Sequence, residues 1–507
     1  MKKRPQAEPA PPETDRQGTS LLPIITWILG VMTAWQVFIF FVHAYQAIAF
    51  PYQLDYGEGP ILEIALRVAH GEPLYPPINQ PPYVIASYEP VYYLLSALGV
   101  WIWGPNYWFG RLVSLVSALA IAACVGLIVW RRSGHRFASW LAAGLILAMP
   151  HFLVWSALMR IDMLALALSV GAFYLFTRGR WKAGTLLFAL GVFTRRTQVS
   201  AMVPAFLDYR DQKGWRPAAR ALVVQVGLVA ALMAGGVLVT RGGMFHQLFL
   251  HTASSLGKAW SWQQLWSLLW VPGNPSPMKL WPVYFVITAV GAIYCLAARG
   301  QRLLFIYFAA ACVIFLTGGR IGSAHNYLME PTAVGAMMFG VMWAELSRRP
   351  GWTRPAVMAL GGAIALQMLW TDLHLPYTIS LAQPRVDPRA SQYVIDRIKE
   401  AHGPVLCEDV GLTLQAGKEP PLMPFEFAQM ARRGVLDPTP VFRKVREGGY
   451  ALIVLRFDPF DPREIELHRP GEDWKAGRWP DGIIEGMVAS YRLDREVGPY
   501  FVFVPRR

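Results

Sequence analysis

Runs of about 15 to 23 uncharged, mostly apolar residues alternate with short basic clusters along the first three quarters of the chain. A helix needs about 20 apolar residues to cross the hydrocarbon core, so these runs predict membrane spans. The first is 21–50, too long for a signal-peptide core and without a small-residue cleavage site after it, so it reads as an anchor. A second, 112–130, ends on Arg131, Arg132, His135 and Arg136. By the positive-inside rule that end faces the cytoplasm and segment 51–110 faces outward. Alternation then gives spans at 137–155, 162–177, 221–240, 280–298, 303–318, 328–346 and 355–373, with basic loops on the inner side.

Stretch 183–207 breaks the alternation, because both flanks are basic and Arg195 and Arg196 split it in two. Each half reaches about 18 Å at 1.5 Å per residue, short of a core about 30 Å thick. A helical hairpin with two arginines at its tip accounts for both facts. Counted as two helices, it makes about eleven spans, with the N-terminus inside and the C-terminus outside. Within 51–110, the apolar segment 91–103 is too short to span and is flanked by Tyr and Trp, as suits a helix lying in the interface.

The remaining segments differ in character. Residues 1–20 are polar, Pro-rich and basic at the start, and read as a disordered cytoplasmic tail. After Asp372 charges become frequent. There 390–401 and 441–447 read as helices and 404–407, 450–455 and 500–504 as strands, giving a small α/β domain. The expected architecture is an α-helical polytopic membrane protein, with a transmembrane domain over 21–373 and a small C-terminal α/β domain over 374–507 on the extracytoplasmic side.

Composition agrees. Of the 507 residues 54% are hydrophobic and only 16% charged, against about 25% in a soluble protein. This excludes a soluble enzyme and a disordered chain. The net charge of +14 is explained by the inner loops and not by nucleic acid. Four cysteines, three of them inside apolar runs, make no disulfide framework.

Ionisable groups at membrane depth cost several kcal/mol unless paired or hydrated, which marks them as functional candidates. They gather at one face: Asp55 and Glu58, Glu89, Arg160 and Asp162, Arg195 and Arg196, then Arg320, His325, Asn326, Tyr327 and Glu330. Acids with fixed cations suit a substrate that has a hydroxyl to deprotonate and a phosphate to hold. Each group also has a plainer reading. Asp55, Glu58 and Glu89 could lie in solvated loops, Arg160 with Asp162 could be an interfacial ion pair, Arg195 and Arg196 could snorkel to headgroups, and Glu330 could favour a helix N-terminus. Glu63 and Arg67, four apart, read as a surface pair. Asp55, Glu58, Glu89 and Asp162 could together ligate a divalent metal, but they are far apart in sequence and no compact ligand motif is present. No Gly-rich nucleotide cradle appears either.

The acidic loop after the first span resembles the GT-C superfamily of polytopic glycosyltransferases. The likeness is to the bacterial branch containing lipid A aminoarabinose transferases and protein O-mannosyltransferase relatives. It rests on Asp55-Tyr56-Gly57-Glu58, Gly71-Glu72-Pro73-Leu74-Tyr75, Glu89-Pro90 with Tyr92-Tyr93, and Trp103-Gly104 to Arg111. Further along, Arg160-Ile161-Asp162-Met163-Leu164 matches an Arg/Leu-x-Asp-x-Leu pattern, and Gly322 to Glu330 is similar to a distal stretch of other members. Two positions depart from the pattern. Gly57 stands where the branch has the Asp of an Asp-Glu pair, and Thr194-Arg195-Arg196-Thr197 stands where it often has a lysine.

The resemblance implies an inverting glycosyltransferase of the inner (plasma) membrane, working at its extracytoplasmic face. The donor would be a sugar on polyprenyl phosphate, and the acceptor a hydroxyl of a cell-envelope glycan, lipid or protein. Asp55 or Glu58 would be the base, and Arg195, Arg196 and Arg320 would hold the donor phosphate. Glu89, Arg160, Asp162, His325, Asn326, Tyr327 and Glu330 would support them. A divalent metal is allowed and not required; no other cofactor and no nucleic-acid partner is expected. A transporter or flippase for a lipid-linked or anionic solute is the alternative, since it too needs charges at membrane depth.

Overall fold

The computed structural model describes residues 21–250, 260–270, 280–320, 322–349, 353–374, 387–463 and 478–506. The tail read at 1–20 lies outside the described residues. Each apolar run is helical. The first ten helices are α1 Leu22–Ala49, α2 Glu58–Ala69, α3 Pro90–Trp103, α4 Trp108–Ser133, α5 Arg136–Ala148, α6 Pro150–Trp155, α7 Ile161–Thr177, α8 Trp181–Val192, α9 Met202–Lys213 and α10 Trp215–Val239. Helices Pro282–Ala297, Arg302–Leu316, Met329–Leu346 and Thr353–His374 complete the bundle. Five of the described helices are long and apolar enough to cross a membrane, and the chain is a multi-pass membrane protein.

Local chemistry sets the boundaries. Pro23 and Pro90 open α1 and α3 from the first helical turn, where a missing N–H costs nothing. Gly134 ends α4 in the left-handed conformation. The run expected as one span at 137–155 is two helices. Pro150 forces Met149 into an extended conformation, and the chain restarts as α6. Stretch 183–207 is the hairpin expected from its flanks, with α8 and α9 as its arms and Arg195 and Arg196 in the turns between them.

Helix Met329–Leu346 is the axis of the bundle. Met329 to Ala344 are buried without interruption, as expected of a helix apolar all round. It packs against α4, α5, Pro282–Ala297 and Arg302–Leu316. Gly340 is where α4 and α5 approach most closely: a Cβ there would lie 2.9 Å from Ala142 and 3.0 Å from Val129. On the outside of α3, Leu94, Leu98, Trp101, Ile102 and Trp103 are exposed, while Tyr92, Tyr93, Ala97 and Val100 are buried. That two-faced helix suits the interfacial position read from its sequence.

The C-terminal unit holds a four-stranded sheet in the order β1-β2-β4-β3, with β1 Val405–Cys407, β2 Leu452–Leu455, β3 Tyr491–Val497 and β4 Tyr500–Pro505. β1 and β2 are parallel, with Val405 beside Leu452, and the other two pairs are antiparallel. β3 is an edge strand carrying Arg492, Asp494, Arg495 and Glu496, charges that discourage edge-to-edge pairing.

Loop 51–89 is joined to this unit at several points. Tyr83 forms a parallel bridge with Leu422. Gln53 Nε2 donates to Asp409 at 3.2 Å, and Gly411 N donates to Gln53 at 3.1 Å. Ile78, Tyr83 and Ile85 share one apolar core with Phe427, Ile453 and Phe503. Glu63 and Arg67 are not the surface pair their spacing suggests. Glu63 is 1% exposed, and Arg67 also reaches Glu72 and, across to the C-terminal unit, Glu419. Burial pushes the Glu63 carboxyl up to about 7, against the pull of Arg67.

Candidate active site

The loop leaving α1 turns sharply at Asp55-Tyr56-Gly57 into α2, and the turn is held by a buried ion pair. Arg111, near the start of α4, is fully buried and uses all five of its N–H groups. It donates to Glu58 twice, at 2.8 and 2.7 Å, and to the carbonyls of Ala47, Phe50 and Tyr52. Glu58 is equally enclosed: it also accepts from the backbone N–H groups of Leu54, Asp55 and Met159. Both oxygens are therefore occupied, and Glu58 is fully buried. Of the two carboxylates expected as the base, Glu58 is the enclosed one. Glu58 fixes the shape of the loop.

Asp55 is the open carboxylate. Its side chain is 32% exposed. Oδ2 accepts from Gly57 N at 2.8 Å and from Arg160 Nη1 at 3.0 Å, and no described group bonds Oδ1. The departure at Gly57 has a steric cause. The space its Cβ would take is filled by the Arg160 guanidinium. A cation stands where the resemblance leads one to expect a second acid.

Arg160 leads into Asp162 at the head of α7. Asp162 is 1% exposed and accepts from Arg195 Nη1 at 2.7 Å and from Asn326 Nδ2 at 2.8 Å. Its second oxygen has no hydrogen bond, and Arg160 Nε lies 3.7 Å from it. Arg195 stacks on the Tyr327 ring at 4.6 Å. The hairpin tip, the head of α7 and the turn His325–Leu328 thus meet at Asp162. Glu89, also buried, accepts from Arg196 Nη1 at 3.1 Å and from Arg196 N at 3.1 Å. Arg196 is 30% exposed, so it is partly open where Arg195, at 6%, is not.

Three expected members stand apart. Glu330 accepts from Tyr307 at 3.0 Å inside the bundle and meets the site only through the charge of Arg195. The His325 side chain makes no hydrogen bond among the described residues. Arg320 has no carboxylate partner among the described residues. Burial, and then the Arg320 charge, hold Arg433 of the C-terminal unit below the usual guanidinium range.

Asp55, Glu58, Glu89 and Asp162 do not converge as a ligand set. Each faces its own guanidinium, those of Arg160, Arg111, Arg196 and Arg195. Among the described residues no three His, Cys, Asp or Glu side chains are arranged to hold a metal. The four acids do not fit the metal site that their grouping allowed.

Two participants escaped the sequence reading. Arg111 appeared only as the end of a motif; an arginine just inside an apolar run was the available signal. Glu426 of helix Pro424–Arg432 carried no signal at all. It accepts from the hydroxyl of Tyr56, the residue after Asp55, at 2.9 Å. Phe425 N donates to that same hydroxyl at 2.9 Å, and Arg478 lies over the Tyr56 ring at 4.4 Å. Burial pushes the Glu426 carboxyl up, while Tyr56, Arg160 and Arg478 pull it down.

No protein-family model matches the chain, and no curated protein matches it in sequence. Solved structures do. The apo crystal structure of ArnT from Cupriavidus metallidurans superposes with a TM-score of 0.58 at 13% identity, over 95% of this chain and 98% of that one. The same enzyme bound to undecaprenyl phosphate gives 0.57 at 13% identity, over 94% and 98%. The archaeal oligosaccharyltransferase AglB from Archaeoglobus fulgidus, in complex with an inhibitory peptide and a dolichol-phosphate, gives 0.51 at 11% identity, over 96% and 74%. Bundle and C-terminal unit are both covered, so the chain shares its fold with these transferase structures, in line with the likeness of its first loop to polytopic glycosyltransferases.

Proposed function

We propose that this protein is a membrane glycosyltransferase that moves a sugar from a polyprenyl-phosphate carrier to a hydroxyl acceptor at the extracytoplasmic face of the inner membrane. The observation that carries the reading is the half-open Asp55 carboxylate set among paired guanidiniums, in a fold whose solved examples include one bound to undecaprenyl phosphate. In this reading Asp55 Oδ1 takes the acceptor proton as the acceptor oxygen attacks the anomeric carbon. The bond from that carbon to the phosphate oxygen breaks, and the phosphate leaves on the lipid with inversion at the sugar. Arg160 holds the other carboxylate oxygen and so aims the base. Arg196, the most open of the paired arginines, receives the phosphate charge that grows in the transition state. Arg195 is committed to Asp162 and acts as support.

The direct test is carrier turnover. Purified protein is given a radiolabelled polyprenyl-phosphate sugar and a cell-envelope extract, and label should move from carrier to extract. Failure of the wild-type chain to consume any such donor would overturn the reading.

The arginines separate into two roles under substitution. Arg196→Ala should weaken donor binding about ten-fold or more, the size of a lost charge-assisted hydrogen bond, with Lys restoring it in part, and should also lower stability because Glu89 is left buried without its cation. Arg195→Ala should lower stability without a matching loss of donor affinity, because Asp162 is left buried with only Arg160, 3.7 Å away, to face it. Binding of a fluorescent polyprenyl phosphate and a thermal melt read the two effects. Unchanged affinity in the Arg196→Ala variant would return that residue to a structural role.

The C-terminal unit is expected outside. Lys399 is exposed on helix Pro388–Glu400, whereas the neighbouring Ser391 is buried and unsuited to a probe. A cysteine at Lys399 should react with an impermeant maleimide in intact cells. Labelling only after the cytoplasmic face is opened would reverse the orientation.

A further inference from the structure

We propose that Glu426 is an acceptor-positioning residue, lent by the C-terminal unit to complete the site around Asp55. The proposal rests on the glycosyltransferase reading above and adds a binding role that the bundle alone does not supply.

The geometry is local and specific. Tyr56 lies between Asp55 and Gly57 in the turn that carries the open carboxylate. Its hydroxyl donates to Glu426 Oε2 and accepts from Phe425 N, both at 2.9 Å, so the start of helix Pro424–Arg432 is pinned to that turn. The two arginines that face Glu426 are both engaged elsewhere: Arg160 with Asp55 at 3.0 Å and Arg478 with Glu408 at 2.7 Å. Glu426 itself forms no ion pair among the described residues; besides Tyr56, only its own backbone N–H draws on the carboxyl. It is half-buried, unlike Glu58, Glu89 and Asp162, which are sealed.

A carboxyl tied to the turn that bears the base, under the same Arg160 charge as Asp55 and without an ion pair of its own among the described residues, is suited to hydrogen-bond a hydroxyl-bearing acceptor. The tyrosines around it favour the same class. Tyr88 and Tyr93 lie in the apolar cluster beneath the turn, and the Arg160 charge reaches both. Tyr93 is buried, and Tyr88 alone is partly exposed; an aromatic face beside carboxyl and guanidinium groups offers a neutral polyol both stacking and hydrogen bonds.

Steady-state kinetics on the full-length protein test this, using a radiolabelled polyprenyl-phosphate sugar as donor and a cell-envelope extract as acceptor, each titrated separately. Glu426→Ala should raise the apparent acceptor KM about ten-fold, the size of one lost hydrogen bond. The donor KM should not follow. Glu426→Gln, which can still accept from Tyr56 and bond a hydroxyl, should recover most of the acceptor KM. If the Ala variant does not fold, Glu426→Asp serves, since it withdraws the carboxyl by one methylene and should raise the acceptor KM about three-fold. An unchanged acceptor KM in the folded Ala or Asp variant, or an equal rise in both KM values, overturns the role of Glu426 while wild-type turnover stands. Absence of wild-type turnover overturns this role and the glycosyltransferase reading together.

Discussion

Asp55→Asn is expected to lower sugar transfer by about 10²- to 10⁴-fold, the usual cost of removing a general base. The substitution keeps size and most hydrogen bonding but removes proton affinity. Arg160 would lose its ion pair, which is a partly exposed one, so the stability cost should be small. Donor binding should survive, because Arg196 is on another element and keeps its bonds to Glu89. The measurement is transfer of radiolabel from a polyprenyl-phosphate sugar, alongside a separate binding assay for the carrier. Full transfer by the folded Asn variant would remove Asp55 from the reaction and favour a transporter, which has no proton to abstract.

Arg111→Ala should act on stability. The pair with Glu58 is wholly buried, and removing one partner leaves a carboxylate in the interior, at a cost of about 3–5 kcal/mol. Three backbone carbonyls at the end of α1 would also lose their donor. Arg111→Lys should rescue only part of this, since an ammonium has three donors where five are used. Thermal unfolding in detergent, followed by size exclusion, reads the effect. A double change to Arg111→Met with Glu58→Leu should recover more stability than either single change. A wild-type melting temperature in the Arg111→Ala variant would show that the clamp is dispensable.

Much of the bundle was legible because span length and loop charge are imposed by the bilayer and survive in the bare sequence. The hairpin was legible for the same reason, as two halves too short to cross between basic flanks. The pairing of the acids was not. Asp55, Glu58, Glu89 and Asp162 read as a loose group at one face, and nothing in their spacing assigns each a different arginine. Glu58 and Asp55 look equivalent three residues apart; only Arg111, 53 residues away, separates a sealed carboxylate from an open one. β3 went unseen because its exposed edge is charged and lacks the apolar run of an inner strand. Glu426 went unseen because its site neighbour, Tyr56, lies 370 residues earlier.

The shared core of loop 51–89 and the C-terminal sheet bears on how such a chain can change over time. Ile78, Tyr83 and Ile85 are as much part of the sheet's interior as Phe427 or Ile453. The unit is therefore no detachable module. Recombination at the end of helix Thr353–His374 would strip an apolar face from both fragments. A chimera with a relative's C-terminal unit must bring that relative's first loop with it, and the turn bearing Asp55 travels in the same piece. Inheritance thus couples the reacting carboxylate to the surface that covers it, so the two can only diverge together.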